Sequence, residues 1–272
     1  SKGFFENVFG SHPYGSMKDG NLESILSLSR EDILNAYEDT FNRNQIFISA
    51  VGDIKPNELR DLVNEVIEKI PAHSNKVIDQ ATYKFPEENT IIDFDTPQSV
   101  TIFGHDGIKR TDKDFFSAYV LTHILGGSGF GSRLMTELRE KNGLTYGVSA
   151  YLASWEKADL ILGQFASSNN TVMEAIGIVR KEWAALADRG VTADELQDAK
   201  TFLTGAYPLR FDGNSRIARI LVGMQTQGLP MDYIHTRNAK VNAVTMEDIR
   251  RVSARILKEE NLYFVIVGRP TS

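Results

Sequence analysis

The sequence contains no cysteine among its 272 residues. This absence excludes disulfide bonds, cysteine nucleophiles and thiolate metal sites, and it leaves the redox compartment open. No apolar run approaches the roughly 20 residues that a membrane-spanning helix needs. Acidic residues outnumber basic ones, 36 to 30, and the formal net charge of −6 at pH 7 argues against a dedicated nucleic-acid-binding protein. A hydrophobic fraction of 42% and a charged fraction of 24% are typical of an ordinary globular protein.

A weak internal repeat runs through the chain. Residues 29–52 and 245–268 both contain a capped helix, a polar turn, an apolar run and a closing glycine. The two segments stay 216 positions apart without a gap, for example at Gly52 and Gly268. An αβ unit could recur once by chance, but the ungapped register favours a duplication.

The repeat predicts the fold class and the domain organisation. Its register places the start of the first copy before residue 1, so we expect residues 1–70 to be the C-terminal remnant of a first αβ repeat. Residues 71–89, which are polar, are predicted to be a linker, and residues 90–270 a complete second repeat. Helices clustered between strands indicate an α+β fold, a duplicated sandwich whose antiparallel sheet carries helices on one face.

Local patterns predict individual elements. A strand is expected at residues 45–51, and a strand hairpin at residues 146–154 and 159–166. A strongly apolar, buried helix is expected at residues 115–125. An amphipathic helix is expected at residues 56–70, with its apolar face formed by Leu59, Leu62, Val63, Val66 and Ile70.

Residues 125–148 carry the most informative pattern. A run with four glycines in six positions, residues 126–131, precedes about three helical turns at residues 132–141. Asn142-Gly143 should end that helix, because both residues accept the left-handed conformation. Arg139 and Tyr146 therefore lie on either side of a tight turn, where two polar side chains could converge beside a glycine-rich loop.

Residue chemistry alone leaves the role of this region open. Arg139 could be a solvated helix charge within a network of neighbouring charges, and Tyr146 an ordinary strand aromatic. A phosphate-cradling loop needs a strand before the glycines and often ends in Lys-Ser or Lys-Thr. Here a helix precedes the glycines and Ser132-Arg133 follows them, so a mobile loop that contacts a peptide fits better.

The segment LREKNGLTY, which holds Arg139 and Tyr146, resembles the second half of the pitrilysin/insulinase-type zinc peptidases. That family includes the mitochondrial processing peptidase. In the family, an Arg and a Tyr at this spacing hold the backbone carbonyls of the substrate, and the resemblance implies this role for Arg139 and Tyr146. It also implies that the glycine-rich loop contacts substrate through Gly126, Gly127, Ser128 and Gly129.

The resemblance extends over nearly the whole chain, from HPYG at His12 to VGRP ending at Pro270, but the zinc motif of the family is missing. The family's enzymes use H-x-x-E-H on a helix and a later Glu. None of the five histidines has another histidine four positions away. We therefore expect that this chain binds no cofactor and is inactive alone, and that a partner subunit or a missing upstream region holds zinc. His12 is predicted to cap a turn and His123 to lie in the core.

The resemblance implies a peptide-binding, non-catalytic subunit of a zinc metallopeptidase heterodimer that degrades or processes unfolded oligopeptides. The expected partners are an oligopeptide substrate and a zinc-bearing homologous subunit or a second copy of the chain. Nucleic acid and a transmembrane segment are not expected. Two alternatives stay open: a fragment of a single-chain homodimeric zinc peptidase whose motif lies upstream, and a structural subunit like the core proteins of respiratory complexes. The resemblance alone suggests an extracytoplasmic location in a Gram-negative bacterium.

Overall fold

The computed structural model describes residues 1–71, 78–129 and 131–271, so residues 72–77 of the predicted linker and Phe130 lie outside the described residues. The chain divides into two compact units. We call them the sheet unit (Ser1–Ser16, Gln80–Thr204 and Asn238–Ser272) and the helical unit (Met17–Asp79 and Gly205–Arg237). These units do not coincide with the repeat boundaries that the sequence predicts. The duplication and its boundaries stay a prediction.

The strands are β1 (Thr90–Asp93), β2 (Gln98–Asp106), β3 (Val148–Ser154), β4 (Asp159–Ser168) and β5 (Tyr263–Gly268). The helices are α1 (Lys2–Phe9), α2 (Leu22–Ser27), α3 (Arg30–Thr40), α4 (Pro56–Glu68), α5 (Phe115–Gly126), α6 (Arg133–Met135, continued by π-helical turns at Thr136–Lys141), α7 (Val172–Arg189), α8 (Ala193–Gly205), α9 (Asn214–Thr226), α10 (Tyr233–Asn242) and α11 (Met246–Ile256). No helix in the described part of the chain combines the length and the apolar character needed to cross a bilayer.

The described strands form one sheet in the order β1-β5-β2-β4-β3. β2 is antiparallel to both β4 and β5, and β3 is antiparallel to β4, as the predicted hairpin requires. β1 runs parallel to β5, so the sheet is mixed. The predicted α+β class is confirmed. β3 lies at an edge and pairs only with β4 among the described residues, which leaves its outer main-chain groups without a strand partner.

One face of the sheet is covered by helices. α5, α7, α8 and α11 contribute to a single core with the sheet, in which Phe103 of β2 stacks on Phe264 of β5 at 5.2 Å between ring centroids. The predicted buried helix at residues 115–125 is confirmed as α5, whose Leu121 and Leu125 are fully buried. This burial fixes the direction in which the chain leaves α5 and enters the glycine-rich loop.

The opposite face is only partly covered. The rings of α1, together with Tyr83 and Phe85, pack on the part of this face near Leu160 and Tyr263. The HPYG element belongs to this cluster: His12 Nδ1 accepts a hydrogen bond from the Tyr14 backbone N–H at 3.1 Å, so the predicted capping role of His12 is confirmed.

Ion pairs hold α11 against the start of α5. Arg251 donates to Asp114 at 2.6 Å, and Arg255 donates to Asp114 at 2.7 Å and to Asp112 at 2.7 Å. The hydrogen bond from Arg255 lowers the pKa of Asp112 to about 2. Both carboxylates are therefore bound to arginines of α11.

The helical unit contains a local match to α11. Ser29 and Asp32 form a capping box at the start of α3, and Thr245 and Asp248 form the same box at the start of α11. The apolar faces differ, however, since Ile249 of α11 is fully buried and its counterpart Ile33 in α3 is 59% exposed. Within the described residues, α3 therefore lacks the layer against which α11 packs.

The helical unit lacks the strand that was predicted at residues 45–51 and contains the helix that was predicted at residues 56–70. The strand expected at residues 45–51 is wrong: a 3-10 turn ends at Gln45 and the following residues pair with no described strand. A strand requires a partner, which an apolar run does not supply by itself. The helix expected at residues 56–70 is confirmed as α4, but its apolar face is not buried within the described residues, and Leu62 is 55% exposed.

A buried histidine gives the sheet unit a defined response to pH. The Trp183 indole N–H donates to His105 Nε2 at 2.8 Å, and His105 Nδ1 lies 2.7 Å from the Asp106 backbone oxygen. The ring is therefore held neutral with its proton on Nδ1. Burial lowers the pKa of His105 from 6.5 to about 4.

We predict that stability falls as this histidine is forced to protonate. Because the folded pKa lies below the unfolded value, the contribution of neutral His105 is fully present above about pH 6.5 and is lost towards pH 4. The free energy of unfolding should drop by about 2 kcal/mol between pH 7.5 and pH 5 from this group, at ~1.4 kcal/mol per pKa unit. In His105→Gln, which still offers an acceptor to Trp183, this part of the pH dependence should vanish. Urea unfolding at both pH values tests this, and an equal drop in the variant would contradict it.

Candidate functional site

The turn after α6 is anchored by buried leucines. Gly143 has φ +61°, which confirms the predicted stop at Asn142-Gly143. The Leu144 N–H donates to the Leu138 backbone oxygen at 2.8 Å, and the Gly143 N–H donates to the Arg139 backbone oxygen at 3.1 Å. Leu138 is fully buried and Leu144 nearly so. The turn therefore has a fixed position on the core.

Arg139 lies in the π-helical turns at Thr136–Lys141 and is partly exposed. Leu134 of α6 and Leu138 of the π-helical turns both face the core and are fully buried. π-Helical turns are rare in proteins, and those that do occur are often found at functional sites. The helix thus places Arg139 next to the turn while its leucine face stays in the core.

Thr145 fixes the second half of the turn. Its buried hydroxyl donates to the Gly147 backbone oxygen at 2.8 Å and lies 3.1 Å from the Gly147 N–H, which donates to it. Tyr146, between these two residues, is 86% exposed. The interpretation of the sequence missed Thr145, although a hydroxyl residue two positions before a glycine is a recognisable turn signal.

The glycine-rich loop has structural reasons for its composition. A Cβ on Gly126 would lie 2.6 Å from the Ala150 backbone nitrogen, so glycine lets the end of α5 approach β3. A Cβ on Gly127 would overlap the His123 ring, and Gly129 has φ +107°, which favours glycine. Ser128 is exposed. Substrate contact by these four residues stays a prediction.

The chain after this loop is tied to the helical layer. Arg133 donates to both carboxylate oxygens of Glu195, at 2.6 and 2.9 Å, and to the Gly190 backbone oxygen at 3.0 Å. The hydrogen bond with Glu195 raises the pKa of Arg133. Thr192 and Glu195 form a capping box at the start of α8. Both ends of the loop are therefore fixed in position. Gly126 at the end of α5 packs against β3, and Arg133 at the start of α6 binds Glu195 of α8.

A shallow depression of about 410 Å³ lies beside the Tyr146 turn. It spans β3, β4 and β2, and it is lined by Val100, Gly147, Val148, Ser149, Gln164, Phe165 and Ala166. It adjoins the free edge of β3, so main-chain groups, an exposed phenol and a depression lie together.

The histidines that the structure describes do not fit a zinc site. Within the described ranges, no group of three or more His, Cys, Asp or Glu side chains could hold a metal ion. His12 and His105 are engaged in the hydrogen bonds described above, and His123 stacks on Phe202 at 4.9 Å between ring centroids. Burial lowers the pKa of His123, which is half-buried rather than a full core residue. His73 lies outside the described residues.

The comparison with known families identifies the class of this chain. The family model described as Peptidase M16 inactive domain matches residues 27–203, which is more than half of the sequence. The chain therefore belongs to the peptidase M16 family and matches its inactive domain. The resemblance based on LREKNGLTY is confirmed.

Relatives and solved structures agree with this assignment. A non-peptidase homolog, YmxG, from Helicobacter pylori is 25% identical over 266 residues, with 97% of this chain and 61% of that protein aligned. The mitochondrial-processing peptidase subunit beta of Lentinula edodes is 22% identical, with 96% of this chain and 59% of that protein aligned. A crystal structure of a peptidase M16 inactive domain from Pseudomonas fluorescens superposes with a TM-score of 0.89 at 26% identity, covering 99% of this chain and 65% of that one. The chain thus spans about 60% of the curated relatives.

The close approach of α5 to β3 predicts a stability difference between two glycines. Gly126→Ala should lower the free energy of unfolding by about 1–3 kcal/mol, because the new methyl group overpacks against Ala150. Gly131→Ala is the matched control, since a Cβ there would meet no described atom within 4 Å. It should be neutral or slightly stabilising. Denaturant unfolding measures both changes, and equal losses would rule out the packing role of Gly126.

The turn predicts a separate effect for the Thr145 hydroxyl. Thr145→Val should lower stability by about 1 kcal/mol and speed hydrogen exchange at the Gly147 amide, because that amide loses its buried acceptor. Thr145→Ser keeps the hydroxyl and should exchange at nearly the wild-type rate. Amide exchange measured by NMR separates the two, and identical rates in both variants would show that the hydroxyl does not hold the turn.

Proposed function

We propose that this chain is the peptide-holding, non-catalytic part of an M16-type zinc peptidase. In this proposal, Arg139 and Tyr146 hold main-chain carbonyls of an unfolded oligopeptide, and zinc carried by a partner performs the hydrolysis. The observation that carries the proposal is the 86% exposure of Tyr146 on a turn that Thr145 and buried leucines hold in place.

The chemistry of the two side chains suits a peptide carbonyl. An arginine has five N–H donors and no acceptor, and a tyrosine hydroxyl can donate one hydrogen bond. Both can therefore donate to carbonyl oxygens, which carry no sequence information. A hydrogen bond from a charged donor contributes about 1.5–3 kcal/mol, and a neutral one about 0.5–1.5 kcal/mol. Such a site would hold unfolded peptides of many sequences.

The edge strand β3 begins two residues after Tyr146 and supports the same proposal. Its outer N–H and C=O groups have no strand partner among the described residues. An extended peptide can add to such an edge through main-chain hydrogen bonds. Gly126, Gly127, Ser128 and Gly129 would contact the peptide on the side of the glycine-rich loop.

The partner is inferred from the missing metal ligands. Zinc peptidase chemistry needs three protein ligands and an open position, and the described residues offer no such group. One relative is named a non-peptidase homolog and another a subunit of a processing peptidase, which supports a division of labour. The zinc would come from a homologous subunit, from a second copy of the protein or from another part of a longer polypeptide.

We predict that the two side chains contribute separately to peptide binding. In fluorescence anisotropy with a labelled unfolded peptide, Arg139→Ala should raise Kd about 10-fold or more. Tyr146→Phe should raise it about 2- to 10-fold, because it removes only the hydroxyl.

Two exposed residues outside the turn serve as controls. Arg250→Ala in α11 and Tyr37→Phe in α3 remove the same groups and should leave Kd unchanged. Circular dichroism checks that each variant is folded. The proposal is wrong if the wild-type protein binds no unfolded peptide, or if Arg139→Ala and Tyr146→Phe bind as the wild type does.

A further inference from the structure

The edge strand β3 carries an aromatic residue, Tyr151, that is 49% exposed. We infer that Tyr151 selects an aromatic side chain at one position of a peptide that pairs with β3. This inference rests on the proposed function, since it assumes that the peptide occupies the outer edge of β3. It goes further, because it names a residue that makes binding sensitive to the peptide sequence and the class of side chain that this residue prefers.

The register of the sheet places Tyr151 on the face that is only partly covered. Tyr151 is opposite Leu162 of β4, and paired residues of neighbouring strands share a face. Leu162 belongs to the cluster that the rings of α1 form on this face. Ala150, one position earlier in β3, belongs instead to the core under the helices. Because side chains alternate along a strand, Ser149 and Tyr151 both point away from the helices.

The ring of Tyr151 has room for a further contact. Its neighbours on the same face of β3 are Ser149, which is small, and Ala153, which is only 6% exposed and packs in the α1 cluster. Tyr151 makes no ring contact and no side-chain hydrogen bond with a residue that the structure describes. Among the described strands β3 pairs only with β4, so the outer side of Tyr151 has no strand neighbour.

A peptide strand on β3 would bring one of its side chains directly against Tyr151. An added strand would lie about 4.8 Å from β3, and residues directly opposite each other have Cβ atoms about 4.5–5.5 Å apart. The peptide residue opposite Tyr151 therefore meets the ring without reaching across another strand. The residues immediately before and after it in the peptide point to the other face of the sheet. Tyr151 thus acts on the peptide residue opposite it and not on the two adjacent ones.

An aromatic side chain gains most at the position opposite Tyr151. Aromatic pairs across two strands stabilise the pairing, and edge-to-face or offset-stacked rings contribute beyond the area that they bury. Leucine would bury apolar surface on the ring but lacks the ring–ring contribution. Serine would leave most of the ring exposed. We therefore expect phenylalanine to bind more tightly than leucine, and leucine more tightly than serine.

Host peptides that differ at one position test this order. A labelled, soluble peptide of alternating Thr and Ser receives Phe, Leu or Ser at its central position, and fluorescence anisotropy gives each Kd. The same peptides are measured with Tyr151→Thr, because threonine suits a strand but has no ring. The ratio of the Ser-peptide Kd to the Phe-peptide Kd should be about 2- to 10-fold larger for the wild type than for Tyr151→Thr. Comparing the two ratios removes effects that the peptide or the variant has by itself.

Two further variants show whether the ring and this edge of the sheet set the preference. Tyr151→Phe keeps the ring and should keep the wild-type ratio. Ile91→Thr is the matched control at the opposite edge, because Ile91 lies in β1 and is 55% exposed. It should also keep the wild-type ratio. Circular dichroism checks that all variants are folded.

The outcomes separate this inference from the proposed function. If the peptides bind but the ratio is the same for the wild type and Tyr151→Thr, the role of Tyr151 is overturned and the main-chain site stands. If the Leu peptide binds the wild type as tightly as the Phe peptide, the preference for aromatic side chains is overturned. If no peptide binds the wild type, the proposed function fails as well. Arg139→Ala should weaken all three peptides by the same factor, because it acts on the main chain.

Discussion

The hydrogen bond from the Leu144 N–H to the Leu138 backbone oxygen, 2.8 Å long and closed between two buried leucines, is the interaction on which the candidate site depends. It joins the end of the α6 helix to the start of the β3 segment. Thr145 then completes the turn through its two bonds to Gly147. Tyr146 is exposed as a consequence of this anchoring: the residues on either side of it are fixed. An exposed aromatic side chain is thus presented by core packing two positions away.

Much of this arrangement could be predicted from local sequence. The helices, the capping boxes, the helix stop at Gly143 and the β3–β4 hairpin all follow from patterns within a few residues. The strand expected at residues 45–51 was wrong, because its formation depends on a partner that local sequence does not specify. The parallel pairing of β1 with β5 and the depression near Val100 could not be predicted for the same reason. Thr90 of β1 and its partner Val265 of β5 are 175 positions apart, and Val100 is at least 47 positions from the other residues of the depression.

The described residues contain no group of side chains that could hold a metal ion, so the proposed function assigns this chain the holding of substrate. A member of the M16 family without a zinc ligand group among its described residues can still serve catalysis by holding the substrate. Holding main-chain carbonyls with Arg139 and Tyr146, as proposed, would make binding independent of the peptide sequence. The apolar faces of α3 and α4, which no described residue covers, lie in the helical unit and have no part in this site.

The most direct measurement is hydrogen exchange of the protein with and without a saturating unfolded peptide, followed by mass spectrometry. We expect slower exchange in segments that contain Tyr146 and β3, because the peptide would pair with the outer edge of that strand. The opposite edge, at β1, should exchange at the same rate in both samples. Protection confined to β1, or protection that leaves residues 146–154 unchanged, would show that the peptide is not held at the Tyr146 turn.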